Sequence, residues 1–317
     1  MSGVPPTIPA LVETAAAAYG DAEAVVDGNR RVSFNQLATL VHAAAGECIR
    51  RGVEPGDRVG IWAPNSLEWI VAALGALSAG GVLVPLNTRY KGEEAAWILD
   101  RSGAKLCFVS PPFLGNDYPA MLGDRPGVVV LSPKLWERGP TGDVLNRIGA
   151  VQSGHTGDLI FTSGTTGKPK GVVTTHSQTL RVFDTWARIV GLRTGDRYLV
   201  VNPFFHTFGY KAGIIACLLR GATIVPQPVF DVGAVLHGGI HDRHHLVAPV
   251  AGDDEAADML RQVARETDEL LAERQHHGHR GLGRIEAGAA DVGVAHALRG
   301  PAPGGRGERA DRVLGEA

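Results

Sequence analysis

Asp158-Leu-Ile-Phe-Thr-Ser-Gly-Thr-Thr-Gly-Lys-Pro-Lys-Gly-Val172 decides how this chain is read: an apolar strand runs directly into a loop of glycines, hydroxyls and lysines. Glycines let a backbone approach a phosphate closely and turn its N–H groups toward it. Thr162, Ser163, Thr165 and Thr166 add hydroxyl donors, Lys170 brings a cation, and Pro169 stiffens the turn before it. A surface turn of Ser, Thr and Gly is the bland alternative. A run of this composition straight after a buried strand favours a phosphate cradle. The G-x-x-x-x-G-K-[ST] spacing of a Walker loop fails, because Gly164 is followed by Gly167 and Lys168-Pro169.

Working outward, the flanks alternate helix and strand. Amphipathic spacing predicts a helix over 7–19, ended by Gly20-Asp21, then a hairpin of 24–26 and 31–34 around Asp27-Gly28-Asn29. Ser33 can cap a helix over 35–51 that stops at Gly52. Strand 59–62, helix 67–79, strand 82–85, helix 93–102 and strand 106–109 follow. Residues 111–156 are richer in Pro, Gly and charge and read as a loop-rich connection around a strand at 128–131. Beyond the strand 158–161 and its glycine loop, a helix over 178–190, a strand over 198–201, a helix over 213–219 and a strand over 223–225 continue the pattern. Strands alternating with helices across short Gly/Pro connections predict an α/β fold with mostly parallel sheets flanked by helices.

Composition narrows the function classes. With 317 residues and 44% hydrophobic content, the chain can bury a sizeable core. A net charge of -2 gives no basic field for a nucleic-acid backbone, so nucleic acid is not an expected partner. Apolar stretches such as 69–85 are broken by glycines, so no membrane span is expected. Met1-Ser-Gly-Val-Pro-Pro does not read as a signal peptide, and Cys48, Cys107 and Cys217 fit neither a disulfide framework nor metal spacing. The expected location is the cytoplasm.

A second chemical segment is Asn202-Pro-Phe-Phe-His-Thr-Phe-Gly-Tyr-Lys-Ala-Gly213. A neutral imidazole at His206 can orient a carboxylate, and aromatic walls can hold an apolar tail. A histidine beside aromatics is, taken alone, more often a core residue.

Together the two segments resemble those of the adenylate-forming superfamily of acyl-CoA synthetases, peptide-synthetase adenylation domains and luciferases. The first is similar to the family's phosphate loop, the second to its P-x-F-H-x-x-G block. The resemblance implies that Thr162, Ser163, Gly164, Thr165, Thr166, Gly167 and Lys170 meet the ATP phosphates. It gives His206 a place between the acyl carboxylate and the CoA channel, with Phe205, Phe208 and Gly209 bordering the acyl pocket. Trp62-Ala-Pro-Asn65 and Val84-Pro-Leu-Asn-Thr-Arg-Tyr90 resemble earlier family blocks, where Arg89 is either a CoA-phosphate contact or an exposed structural arginine. The implied reactants are a carboxylic acid, ATP with Mg²⁺, and CoA, and no resident metal site is expected. The resemblance spans about residues 7–236 and implies the N-terminal portion of the family's large domain.

A composition break follows. Every Phe, Tyr and Trp lies at or before Phe230, and eight of the 12 histidines lie after it. The expected boundary separates a partial adenylation domain over 1–236 from an unrelated, partly helical or disordered stretch over 237–317. Read one base later, the codons of His244-His245-Leu246-Val247-Ala248-Pro249 permit Ile/Thr, Ile/Thr, Leu, Leu, Pro, similar to a family I-T-x-L-P segment, which makes 237–317 an expected out-of-frame tail. A metal site on His241, His244 and His245 is the weak alternative. The family's Y-G-x-T-E block is absent, since no tyrosine follows Tyr210. The T-G-D block and the lysine of the mobile C-terminal domain are not found either. The chain is therefore expected to have little or no ligase activity, or to act as a non-catalytic nucleotide- and acyl-binding unit.

Overall fold

The computed structural model describes residues 3–162, 169–229 and 244–245. Helix α1 (Ile8–Tyr19) starts where the Thr7 side chain accepts from the Ala10 N–H, and it ends at Gly20 with positive φ. Strands β1 (Glu23–Asp27) and β2 (Arg30–Ser33) form the expected hairpin, with Gly28 supplying a φ of 58° at its turn. Helix α2 (Phe34–Arg50) opens on a reciprocal cap between Ser33 and Gln36.

Strands β3 (Arg58–Trp62), β4 (Val82–Pro85) and β5 (Ala104–Val109) are parallel and alternate with α3 (Leu67–Ser78) and α4 (Gly92–Ser102). Period-two alternation sorts their side chains between two cores. Val59, Ile61, Leu83, Leu106 and Phe108 join the core that also holds α1, α2 and α3 residues. Trp62, Val84, Cys107 and Val109 join a second core with Ile98 and Leu99 of α4. Both faces of this sheet are thus covered, as parallel strands require. Helix α3 is buried almost all round, which explains its nearly unbroken apolar sequence.

Between 111 and 156 the expected strand appears as β6 (Val128–Val130), but three short helical pieces accompany it. These are α5 (Tyr118–Leu122), a 3₁₀ turn (Pro133–Trp136) and α6 (Val144–Ala150). They are too short to show helical periodicity, so the loop-rich reading missed them.

β7 (Thr156–Thr162) pairs with β4 and with β8 (Lys170–Thr175), giving a six-stranded sheet in the order β6-β5-β3-β4-β7-β8. Helix α7 (His176–Ile189), β9 (Arg197–Val200), a π-helical segment (Phe208–Ile215), α8 (Ala216–Arg220) and β10 (Thr223–Pro226) follow. The helix expected over 213–219 thus begins five residues before its expected start. The second sheet has the order β11-β9-β10-β1-β2, where β11 is the pair His244–His245, parallel to β9. Among the described strands, only the β1–β2 and β7–β8 pairings are antiparallel, so the expected mostly parallel α/β architecture is what forms. Residues 246–317 lie outside the described residues, and with them most of the stretch expected to be out of frame.

Candidate nucleotide and acyl site

The segment expected to cradle phosphate connects the two strands of a hairpin. Thr162 and Lys170 are paired residues at its open end, both exposed, and the Thr162 hydroxyl donates to the Lys170 carbonyl at 3.5 Å. Ser163, Gly164, Thr165, Thr166 and Gly167 lie between them, outside the described residues. The sequence reading ran from the loop to a helix at 178 and missed β8. The β-branched run Val172-Val-Thr-Thr175 is the signal that identifies this return strand. Trp97 of α4 meets Phe161 of β7 edge-on at 6.1 Å.

The second segment is pinned by a residue far away in sequence. The Asn65 side chain, between β3 and α3, donates to the carbonyls of Val200 at 3.2 Å and Asn202 at 2.9 Å. Its oxygen accepts from the Phe204 N–H at 2.7 Å. The Trp62-Ala-Pro-Asn65 motif therefore shapes the loop that carries His206. Phe204 is fully buried, with its ring 5.2 Å from that of Trp69. The next turn closes by the His206 N–H donating to Pro203 O and the Tyr210 N–H donating to His206 O, both at 3.0 Å.

The predicted acyl-side residues divide by exposure. His206 is exposed, Phe205 and Phe208 are half-buried, and Gly209 is buried. Phe205 lies 5.5 Å from the His206 ring, and Phe208 meets Trp186 edge-on at 6.1 Å. At Gly209, a Cβ would stand 2.1 Å from Pro203 O and 2.5 Å from Asn202 O, so only glycine lets the loop fold back on its helix.

Two charged residues without an assigned role in the sequence join these segments. Asp158 of β7 and Lys211 of the π-helical segment form an ion pair at 2.9 Å, with side chains 0% and 4% exposed. Burial pushes the Asp158 carboxyl above its ordinary value, while Lys211 and then Thr174 pull it back down. No local sequence pattern marks this contact. It brings β7, which leads into the expected phosphate loop, together with the π-helical segment that follows His206.

Other polar features lie elsewhere. A cavity of about 530 Å³ is lined by Tyr19, Asp184, Arg188, Arg193, Thr194 and Arg220, among others, and by none of the predicted site residues. Arg89 is exposed, and its N–H donates to Asn87 Oδ1 at 2.9 Å. All three cysteines are buried, which pushes the Cys48 and Cys107 thiols up to about 12 and makes them poor nucleophiles. Among the described residues, no group of three or more His, Cys, Asp or Glu could hold a metal ion. Also among these residues, no helix is long and apolar enough to cross a membrane.

The family model described as AMP-binding enzyme matches residues 12–250, a span that includes the hairpin, the His206 segment and β11. The chain belongs to the AMP-binding enzyme family. It is 42% identical over 241 residues to a 3-[(3aS,4S,7aS)-7a-methyl-1,5-dioxo-octahydro-1H-inden-4-yl]propanoyl:CoA ligase of Mycobacterium tuberculosis (strain ATCC 25618 / H37Rv), covering 71% of this chain and 47% of that protein. A ligase of the same name from Rhodococcus jostii (strain RHA1) is 39% identical over 274 residues, covering 79% of this chain and 53% of its own. The chain spans about half the length of these curated relatives. An inhibitor-bound N-terminal domain of FACL13 from Mycobacterium tuberculosis superposes with a TM-score of 0.63 at 25% identity, over 75% of this chain and 61% of that one. This member of the AMP-binding enzyme family therefore has the N-terminal fold of acyl-CoA synthetases.

Proposed function

We propose that this chain carries the phosphate and acyl-carboxylate subsites of an ATP-dependent acid–CoA ligase. The observation that carries the reading is the Asp158–Lys211 contact, which ties the strand leading into the glycine- and hydroxyl-rich segment to the helical segment that follows His206. In the proposed reaction the carboxylate attacks the α-phosphorus of ATP, forming acyl-AMP and releasing pyrophosphate. CoA thiol then displaces AMP. Thr162, Ser163, Gly164, Thr165, Thr166, Gly167 and Lys170 hold the phosphates by hydroxyl, backbone and ammonium donors. His206 orients the acid's carboxylate, and Phe205 and Phe208 flank its apolar body. The Mg²⁺ that accompanies ATP supplies charge neutralisation at the phosphates. The described residues offer no carboxylate cluster for it, so no step is assigned to the metal.

Half-buried Phe205 and Phe208 favour a bulky apolar acid over acetate, a medium to long acyl chain or a fused-ring propanoate. The names of both ligase relatives point to the latter. A second reading rests on the missing Y-G-x-T-E block: within these 317 residues the chain binds nucleotide and acid without turning them over. ATP–pyrophosphate exchange on the purified chain, with acetate, dodecanoate and a fused-ring propanoate, tests both. The expected result is slow exchange, since one missing electrostatic contact typically costs about 10²–10³-fold. Robust turnover refutes the non-catalytic reading. Absence of ATP binding by calorimetry refutes both.

A further inference from the structure

We infer that the cavity between the ends of α1, α7 and α8 binds a phosphate monoester, at a site separate from the proposed nucleotide and acyl subsites. Its volume of about 530 Å³ lies within the roughly 300–1,000 Å³ of small-molecule sites. Arg188 near the end of α7, Arg193 and Thr194 before β9, and Arg220 closing α8 line it. Among the described residues, Asp184 is the one acid in the lining, so three arginines against one aspartate leave a formal charge of +2. Like charges gathered in a concave wall repel one another and focus a field that draws an anion. Guanidinium forks match phosphate and carboxylate oxygens in pairs. A phosphate ester, with a charge of about -2 near pH 7, balances the lining, whereas a single carboxylate leaves one cation over. Arginine also suits the negative end of a helix, which accounts for Arg188 and Arg220 without a ligand. Arg193 belongs to neither helix. Among the described residues its exposed side chain has no ion-pair partner, while its backbone N–H donates to Asp196 Oδ2 at 2.8 Å.

The cationic wall is held in place before any anion arrives. Asp184 is buried, and its carboxylate accepts from Arg188 through Oδ2 and from Arg220 through Oδ1, the latter at 2.7 Å. Arg220 Nη2 also donates to the Asp184 carbonyl at 2.8 Å. One carboxylate thereby aims two guanidinium groups, each with N–H donors to spare. The end of α8 is fixed as well, by the Thr194 hydroxyl donating to Arg220 O at 2.8 Å and the Tyr19 hydroxyl donating to Leu219 O at 3.3 Å. Gly221 permits that closure: its φ is 70°, and a Cβ there would stand 2.4 Å from Tyr19 Cε1. Tyr19, Pro5 and Leu219 add apolar surface to the lining, which favours an ester with an apolar body over bare phosphate.

Calorimetry on the full chain at constant ionic strength, with phenyl phosphate and with inorganic phosphate, tests the site. Phenyl phosphate is expected to bind the unaltered chain at this cavity, and more tightly than inorganic phosphate. Arg193→Gln should weaken it about tenfold, the effect of one charge-assisted hydrogen bond. Arg193→Lys keeps the charge without the fork and should fall between the two. Arg193 is exposed, so an unchanged urea midpoint is expected to show that both variants fold. Arg181→Gln removes the same charge from an exposed position of α7 outside the cavity and should leave binding unchanged. Equal losses in the Arg193 and Arg181 variants reduce the effect to the general field and overturn the site. Lys170→Ala, in the expected phosphate loop, should retain binding; a loss there with none in Arg193→Gln places the anion at that loop and overturns the inference. No binding of phenyl phosphate, or equal affinity for the two probes, overturns the ester assignment. Tighter binding to phosphatidic-acid vesicles than to phenyl phosphate overturns a soluble source and assigns the phosphate to a lipid headgroup.

Discussion

Asn65 uses both ends of its amide on the backbone of one distant loop, and removing it exposes how much that loop depends on it. Asn65→Ala leaves the Asn202 carbonyl and the Phe204 N–H short of a partner, while the Val200 carbonyl keeps the Gln227 N–H. At roughly 1–3 kcal/mol for each unsatisfied group, partly relieved by water, a loss of about 2–4 kcal/mol is expected in urea unfolding. His176 makes a different prediction. It is buried beside Gly157, its Nδ1 accepts from the Ile8 N–H at 3.4 Å, and burial followed by His155 lowers its pKa to about 4. Its folded value lies below the unfolded one near 6.5, so between those values the unfolded chain binds the extra proton. Its contribution is therefore complete above about pH 6.5 and is lost as pH falls toward 4. Urea midpoints at pH 7 and 5 should differ less in His176→Gln than in the unaltered chain. An equal difference in both removes His176 as the cause.

At the scale of elements, α2 and α3 cross where a side chain on Gly75 has no room. A Cβ there would stand 2.4 Å from the Ala44 Cβ. Gly75→Val is expected to cost at least about 1–3 kcal/mol by overpacking, and a midpoint unchanged from wild type would contradict the crossing. The long elements before residue 110 were legible because each repeats its apolar pattern over enough turns or alternations to be recognised. Ser33 even marked the start of α2. The pieces α5, α6 and the 3₁₀ turn were not legible, because each is held by its surroundings rather than by its own period. β8 was hidden differently, since the glycine loop drew Lys170 and Gly171 into itself. The candidate site was read in two halves, and what joins them was invisible. The Asp158–Lys211 and Asn65–Phe204 contacts span 53 and 139 residues, and no local pattern encodes such a meeting.

For the whole molecule, the edge strand β8 stands out. Val172 and Val173 are 51% and 60% exposed although they point to opposite faces, so among the described residues both faces of the sheet are bare at this end. Exposed Val182 and Ile189 on α7 add to the apolar surface. An open edge with apolar residues on both sides invites pairing with another chain. The purified protein should bind a hydrophobic dye and self-associate in a concentration-dependent way. Val172→Lys/Val173→Lys should reduce both with little change in midpoint, and an unchanged sedimentation profile would argue that association occurs elsewhere.

The three sealed thiols have a practical consequence. Cys48 and Cys217 belong to the core shared by the helices and both sheets, while Cys107 belongs to the one beneath α4. A thiol reagent can reach each only when its surroundings open, so labelling rates act as independent clocks on two regions of one chain. If the three sites react in step, the cores unfold as a single unit. If Cys107 runs ahead, the layer under α4 comes apart first, and the order of disassembly can be read without introducing any probe.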